Sequence, residues 1–220
     1  MNYLSHYLID HQLNNHFYNT GLLLPDITKS QVKTFKREPT ASLNESENNL
    51  LKGCLKHYES DKRFHASTFF NALNNEMNEV IKSTGFSDYL QRKWFLAHIF
   101  TELMIDRIVV KNCPDVVDGF YFSLNAIDNN ALLQFLNKFD AQDTSTFLNR
   151  FNHFRQVQYI YYYSNTNKFV YSLTRIMMRA GLPEMIESDK MKLELLTEEI
   201  EIKYFSDHVF IINELKKIFE

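Results

Sequence analysis

Residues 94–106 read WFLAHIFTELMID, and no other stretch constrains the chain as much. Trp94, Phe95, Leu96, Ile99, Phe100, Leu103, Met104 and Ile105 recur at helical spacing yet cover most faces of a helix. A helix that is apolar nearly all round must be enclosed by other elements, so this run reads as the central helix of an α-helical core. Turn chemistry agrees. Only 5 Gly and 4 Pro occur in 220 residues, too few for a sandwich or barrel that turns at short intervals. The 19 Phe and 12 Tyr supply a sizeable core, and the 23% of charged residues are well mixed, which excludes wholesale disorder.

The remaining periodicity fills in helices joined by short loops. A helix is predicted over 2–13, followed by a turn-rich, partly buried stretch, GLLLPDIT, at 21–28. Residues 29–42, with Lys29, Lys33, Lys36, Arg37 and Pro39, read as a mobile surface segment. Ser42 and Glu45 fit a capping box for a helix from about 43 to the low 60s. Phe69, Phe70, Leu73, Met77, Val80 and Ile81 carry helical spacing on to Gly85. Ser87-Asp88 would cap the central helix, about 88–111, which Cys113-Pro114 ends. Shorter helices follow at 115–126 and 129–138. A helix of about 18 residues starts at Thr144 or Ser145 and runs into the tyrosines of 159–163. Another spans 168–179, and helical pattern fills 188–219 with a break near Ser206. The expectation is a single compact all-α domain over 1–220.

Charge and leader signals narrow the class. The net charge is −3, which gives no general pull toward nucleic acid or anionic membrane. Cys54 and Cys113 do not make a disulfide framework, so a reducing compartment is expected. The opening residues lack a basic start, an unbroken apolar run and a small-residue cleavage site, and no apolar stretch is long enough for a span. Together these predict a cytoplasmic protein.

Residues able to carry chemistry sit on two helices. His57, Asp61 and His65 are spaced i, i+4, i+8, and His98, Glu102 and Asp106 repeat the spacing on the apolar helix. Residues four apart share a helix face, and facing helices with inward His and carboxylates are how helical bundles hold metal ions. Imidazole plus carboxylate without thiolate suits Mn²⁺, Fe or Zn²⁺ rather than Ca²⁺. Spacing alone leaves the plain alternative open. Asp61 stands between Glu59 and Lys62-Arg63 as a solvated face would, and Asp106 can pair with Arg107. Glu102 is harder to read that way, because a carboxylate buried in an apolar helix is costly unless paired or metal-bound. Arg175 and Arg179 form a cationic i, i+4 pair suited to phosphate, or to a solvated helix C-terminus. The tyrosines of 159–163 divide between core and a surface or homodimer contact.

Four segments, MNYLSH at 1–6, GLLLPD at 21–26, GCLKHYESD at 53–61 and HIFTE at 98–102, resemble the acyl carrier protein phosphodiesterase family. Its pattern runs Asn–aromatic–His, a Gly-initiated stretch ending in Asp, Gly-x-x-x-His-x-x-x-Asp, and His-x-x-x-Asp in an apolar helix. Order and approximate spacing agree over residues 1–106, and FVYSLTRIMMR at 169–179 is loosely similar to the family's C-terminal helix. The resemblance implies an HD-domain-like helical bundle that uses a divalent metal, Mn²⁺ first and Fe or Zn²⁺ as alternatives. The implied reaction is hydrolysis of the phosphodiester joining 4′-phosphopantetheine to a serine of acyl carrier protein.

Carried over by position, the implied metal ligands are His6, Asp26, His57, Asp61, His98 and Glu102. Asp61 and His65 take catalytic roles, His65 as ligand or proton donor, and Arg175 and Arg179 would bind phosphate. His65 and Glu102 each stand where the family has Asp, Leu22 replaces the Asn of its Gly-Asn pair, and Tyr58 occupies the place of its Arg. That last change keeps two rivals in play: a helical binding or scaffold protein that retains the fold without the reaction, and a hydrolase of another phosphoester.

Overall fold

The computed structural model describes residues 1–28 and 30–219. Among them the chain is all-α, with twelve α-helices and no strand. In chain order these are α1 (Tyr3–Asp10), α2 (His16–Gly21), α3 (Leu24–Ile27), α4 (Glu45–Ala66), α5 (Thr68–Ser83) and α6 (Lys93–Asn112). They continue with α7 (Pro114–Asn125), α8 (Asn129–Asn137), α9 (Thr144–Val157), α10 (Thr166–Arg179), α11 (Glu187–Tyr204) and α12 (His208–Lys217). A 3₁₀ segment, Tyr159–Ser164, lies between α9 and α10. No helix among the described residues is long and apolar enough to cross a membrane.

The contacts fall into two compact units. The first takes Met1, Tyr3–Arg63 and Asp115–Tyr159, and the second takes Asn2, Phe64–Pro114 and the residues from Ile160 on. In the first unit α2 and α4 meet through glycine. A Cβ on Gly53 would stand 2.2 Å from the Tyr18 carbonyl oxygen, and one on Gly21 would stand 2.2 Å from that of Leu50. Only bare Cα atoms allow the two backbones this close. Phe35, Phe135 and Phe139 cluster beside them, with Phe35 stacked on Phe135 at 5.5 Å. Tyr3, Phe120, Tyr121 and Phe154 form another aromatic group. In the second unit α6 is enclosed from Leu96 to Val109, where twelve residues are buried, but Trp94 at its start is 63% exposed, contrary to the expectation from the sequence. The guanidinium of Arg107, also buried, reaches Glu201, the Tyr163 carbonyl and Thr166.

Several boundaries differ from those read in the sequence. The capping box lies two residues later than Ser42 and Glu45. Asn44 Oδ1 accepts from the Glu47 amide at 2.9 Å, and Glu47 Oε2 accepts from the Asn44 amide at 2.7 Å. Helical spacing from 43 to 85 conceals a break at Ser67, whose Oγ accepts from the Phe70 amide and starts α5. The central helix begins at Lys93 instead of 88, because Ser87 is drawn off to Asp189 through both its amide and its hydroxyl. The tyrosine run leaves the α-helix at Gln158, which has φ 50°. Of the surface segment read at 29–42, Lys29 lies outside the described residues, and Gln31, Val32 and Phe35 are buried.

Candidate metal centre

Two short helices and one long one, all in the first unit, bring His6, Asp26 and His57 together. His6 is on α1, Asp26 on α3 and His57 on α4, and one ligand atom from each lies within 4.8 Å of the others. The sequence explains the meeting point. Gly53 lets α2 approach α4, and one turn further along α4 stands His57. There the chain leaving α2 presents the Leu22 carbonyl, 2.8 Å from His57 Nδ1. A carbonyl can only accept, so Nδ1 carries the hydrogen and donates it. Burial pushes the His57 pKa down, against the opposing pull of the Asp26 charge and the Leu22 carbonyl. A neutral ring with its hydrogen on Nδ1 turns a lone pair outward from Nε2. That atom faces Asp26 Oδ1 at 3.8 Å. The His6 ring, fully buried, stacks on His57 with centroids 4.0 Å apart.

Two electron-pair donors facing one another across 3.8 Å repel unless a cation or a proton lies between them. Ligand atoms sharing an ion at bonds of about 2.1 Å stand roughly 3–3.5 Å apart, so a shift of a few tenths of an ångström brings these two into register. The carbonyl behind His57 fixes the tautomer and ring direction that a ligand histidine needs.

The other predicted residues take these places. Asp61, one turn beyond His57 on α4, accepts a hydrogen bond from the Met1 amine at 2.8 Å. Nearby, Asp10, which is not among the predicted ligands, receives the Ser60 hydroxyl and lies 3.7 Å from Lys56 Nζ. In the second unit His65, His98 and Glu102 form another group whose ligand atoms lie within 4.8 Å of one another. Arg175 and Arg179 are exposed on α10 of that unit, and the Arg175 guanidinium touches Met178 Sδ at 3.8 Å. Tyr58 accepts from the Phe35 amide at 3.4 Å and carries Lys36 Nζ 4.7 Å over its ring. The position of Leu22 as the orienting carbonyl had no signal in the sequence, since a backbone acceptor leaves no residue-type trace.

Comparison of the chain with protein-family profiles, with curated proteins and with solved structures gives no match.

Proposed function

We propose that the chain is a metal-dependent phosphoric diester hydrolase, with His6, Asp26 and His57 as protein ligands of its ion. The observation that carries this reading is the neutral His57 ring, pinned by Leu22 with its Nε2 lone pair turned toward a carboxylate. A divalent ion held there would acidify a bound water and offset charge on a phosphoryl oxygen. Within the chain, the Leu22 carbonyl holds the ring, Asp26 supplies the compensating negative charge, and burial of His6 and His57 keeps bulk water from competing for both rings. Mn²⁺ is the first choice, with Fe and Zn²⁺ as alternatives. The resemblance read in the sequence nominates acyl carrier protein as partner and its 4′-phosphopantetheine diester as substrate, in the cytoplasm.

A second reading has its own support. Tyr58 is engaged with Phe35 and Lys36, where an arginine would otherwise be available to substrate. That favours a different phosphoester, or a binding protein that keeps the fold without the reaction.

The test uses purified protein. Bound metal is measured, and then hydrolysis of an aryl phosphodiester and of phosphopantetheinylated carrier protein with added Mn²⁺. Hydrolysis that is lost on chelation and in His57→Ala is the expected result. Equal activity in His57→Ala, or wild-type protein that takes up no ion, overturns the proposal. Cleavage of the aryl diester with intact carrier protein moves the substrate to another phosphoester.

A further inference from the structure

The geometry points to a second cation site in the second unit, where His65 Nε2, His98 Nε2 and Glu102 Oε1 would take a divalent transition ion of the zinc class. Three features support it. First, both imidazole nitrogens converge on one carboxylate oxygen. His65 Nε2 lies 2.9 Å and His98 Nε2 3.3 Å from Glu102 Oε1. Two ligands at about 2.05 Å on a tetrahedral ion stand roughly 3.3 Å apart, so both separations from Glu102 Oε1 are already close to those an ion's ligands take.

Second, the rings are held in place before any ion arrives. His65 and His98 are nearly parallel, 5° between planes and 5.1 Å between centroids, and both turn Nε2 toward Glu102 Oε1. Phe70 meets both rings edge-on, at 5.0 and 5.3 Å, and Phe64 meets His65 edge-on at 5.4 Å. Phe70 lies in the first turn of α5, where the Ser67 hydroxyl receives its amide. Third, the group is reachable. The side chains keep 30%, 33% and 14% of their exposure, which leaves room for water on the remaining coordination positions. Two nitrogens and one carboxylate with an open position is a donor set that zinc enzymes use, and it lacks the all-oxygen shell that Ca²⁺ and Mg²⁺ prefer.

A metal-free hydrogen-bonded triad would share the same distances, and experiment separates the two. The full chain is stripped with chelator and titrated with Zn²⁺ by calorimetry, while the histidine ring ¹⁵N resonances are followed by NMR. The site predicts two equivalents bound by wild type, with the Nε2 resonances of His65 and His98 moving together as one equivalent fills. Glu102→Gln keeps the shape of the side chain and His98→Gln keeps its polarity, and each is expected to lose one equivalent. His57→Gln is expected to lose the other and to leave the His65 and His98 shifts intact. Ring resonances of His65 and His98 that stay put at saturating Zn²⁺, or two equivalents retained in Glu102→Gln, overturn the proposal. No readout involves hydrolysis, so a failed activity assay leaves this result standing, and loss of this site alone, with His57 still binding an ion, leaves the phosphodiesterase reading untouched.

Discussion

Gly53→Ala tests whether the glycine contact between α2 and α4 builds both the fold and the candidate metal centre. In an ordinary helix interior the change would stabilise by about 1 kcal/mol, because Gly gives up more backbone freedom than Ala. Here the new methyl would sit 2.2 Å from the Tyr18 carbonyl oxygen and 2.8 Å from Gly21 Cα. An ordinary carbon–oxygen contact is about 3.3 Å, so α2 must retreat by about 1 Å. The obstruction is backbone, and no rotamer change relieves it. Overpacking of this kind costs about 3 kcal/mol. Retreat of α2 also carries the Leu22 carbonyl away from His57 Nδ1, and that buried hydrogen bond contributes about 1 kcal/mol. The helix-propensity gain offsets part of this, leaving a net loss of about 3 kcal/mol. For a chain of this size that is about 6–12 °C in Tm, read by circular dichroism. Calorimetry on the same protein should show weakened ion binding at the His57 site, because the ring loses its anchor. Gly119→Ala is the control. Its methyl would meet only the end of the Tyr7 side chain at 3.0 Å, so a change within about 1 kcal/mol is expected. A Gly53→Ala protein as stable as wild type, with unchanged ion affinity, would refute the argument.

Three further outcomes follow from the same structure. Asn44→Ala removes the acceptor that starts α4 and should cost about 1 kcal/mol in urea unfolding, with the m-value unchanged. Arg107→Met leaves Glu201 half-desolvated with only Lys111 beside it and abandons the Tyr163 carbonyl, so a loss of about 3 kcal/mol is expected in thermal melts. Metal-free protein should lose stability in acid in two windows. The folded pKa of His57 is below the ordinary 6.5, so the unfolded chain binds that proton first and stability falls as pH drops below about 6.5. Burial pushes Glu102 up, but nearby positive charge and the His65 and His98 hydrogen bonds outweigh it and hold the carboxyl well below 4.5. Its contribution is therefore present above pH 4.5 and lost as the pH falls further. His57→Gln should flatten the first window and keep the second, as measured by Tm from pH 8 to 3.

The sequence announced helices more clearly than it announced where they stop. Apolar residues at 3.6 spacing mark every long helix, because burial of one face is what holds each of them. Stops depend on single hydrogen bonds. Ser67 breaks a run of uninterrupted helical spacing, since a hydroxyl can cap the Phe70 amide as readily as it can point to solvent. Asn15, beyond the helix read over 2–13, is the cap that begins α2, with its Oδ1 receiving the Tyr18 amide. Gln158 closes α9 at φ 50°, without the glycine that usually signals a stop, and Arg92 takes the same φ just before α6 begins. The burial of Phe35 depends on Phe135 and Phe139, a hundred residues away, and no local pattern could carry that.

The candidate ligands divide along the same line between local and distant information. His98 and Glu102 are four residues apart on one helix, so their proximity follows from helix geometry alone, and only His65 had to be brought from another element. His57 and Asp61 have the same spacing, yet they have different partners: Asp61 meets the amine of Met1, and His57 meets Asp26 and Leu22. Spacing fixes which face of α4 the two share. What stands opposite that face is decided by how closely the neighbouring backbone can approach, and there Gly53 and Gly21 set the distance. A glycine four residues before a histidine therefore has a physical meaning in this chain. It admits a backbone carbonyl to the next turn, and that carbonyl selects the tautomer that leaves Nε2 able to bind an ion.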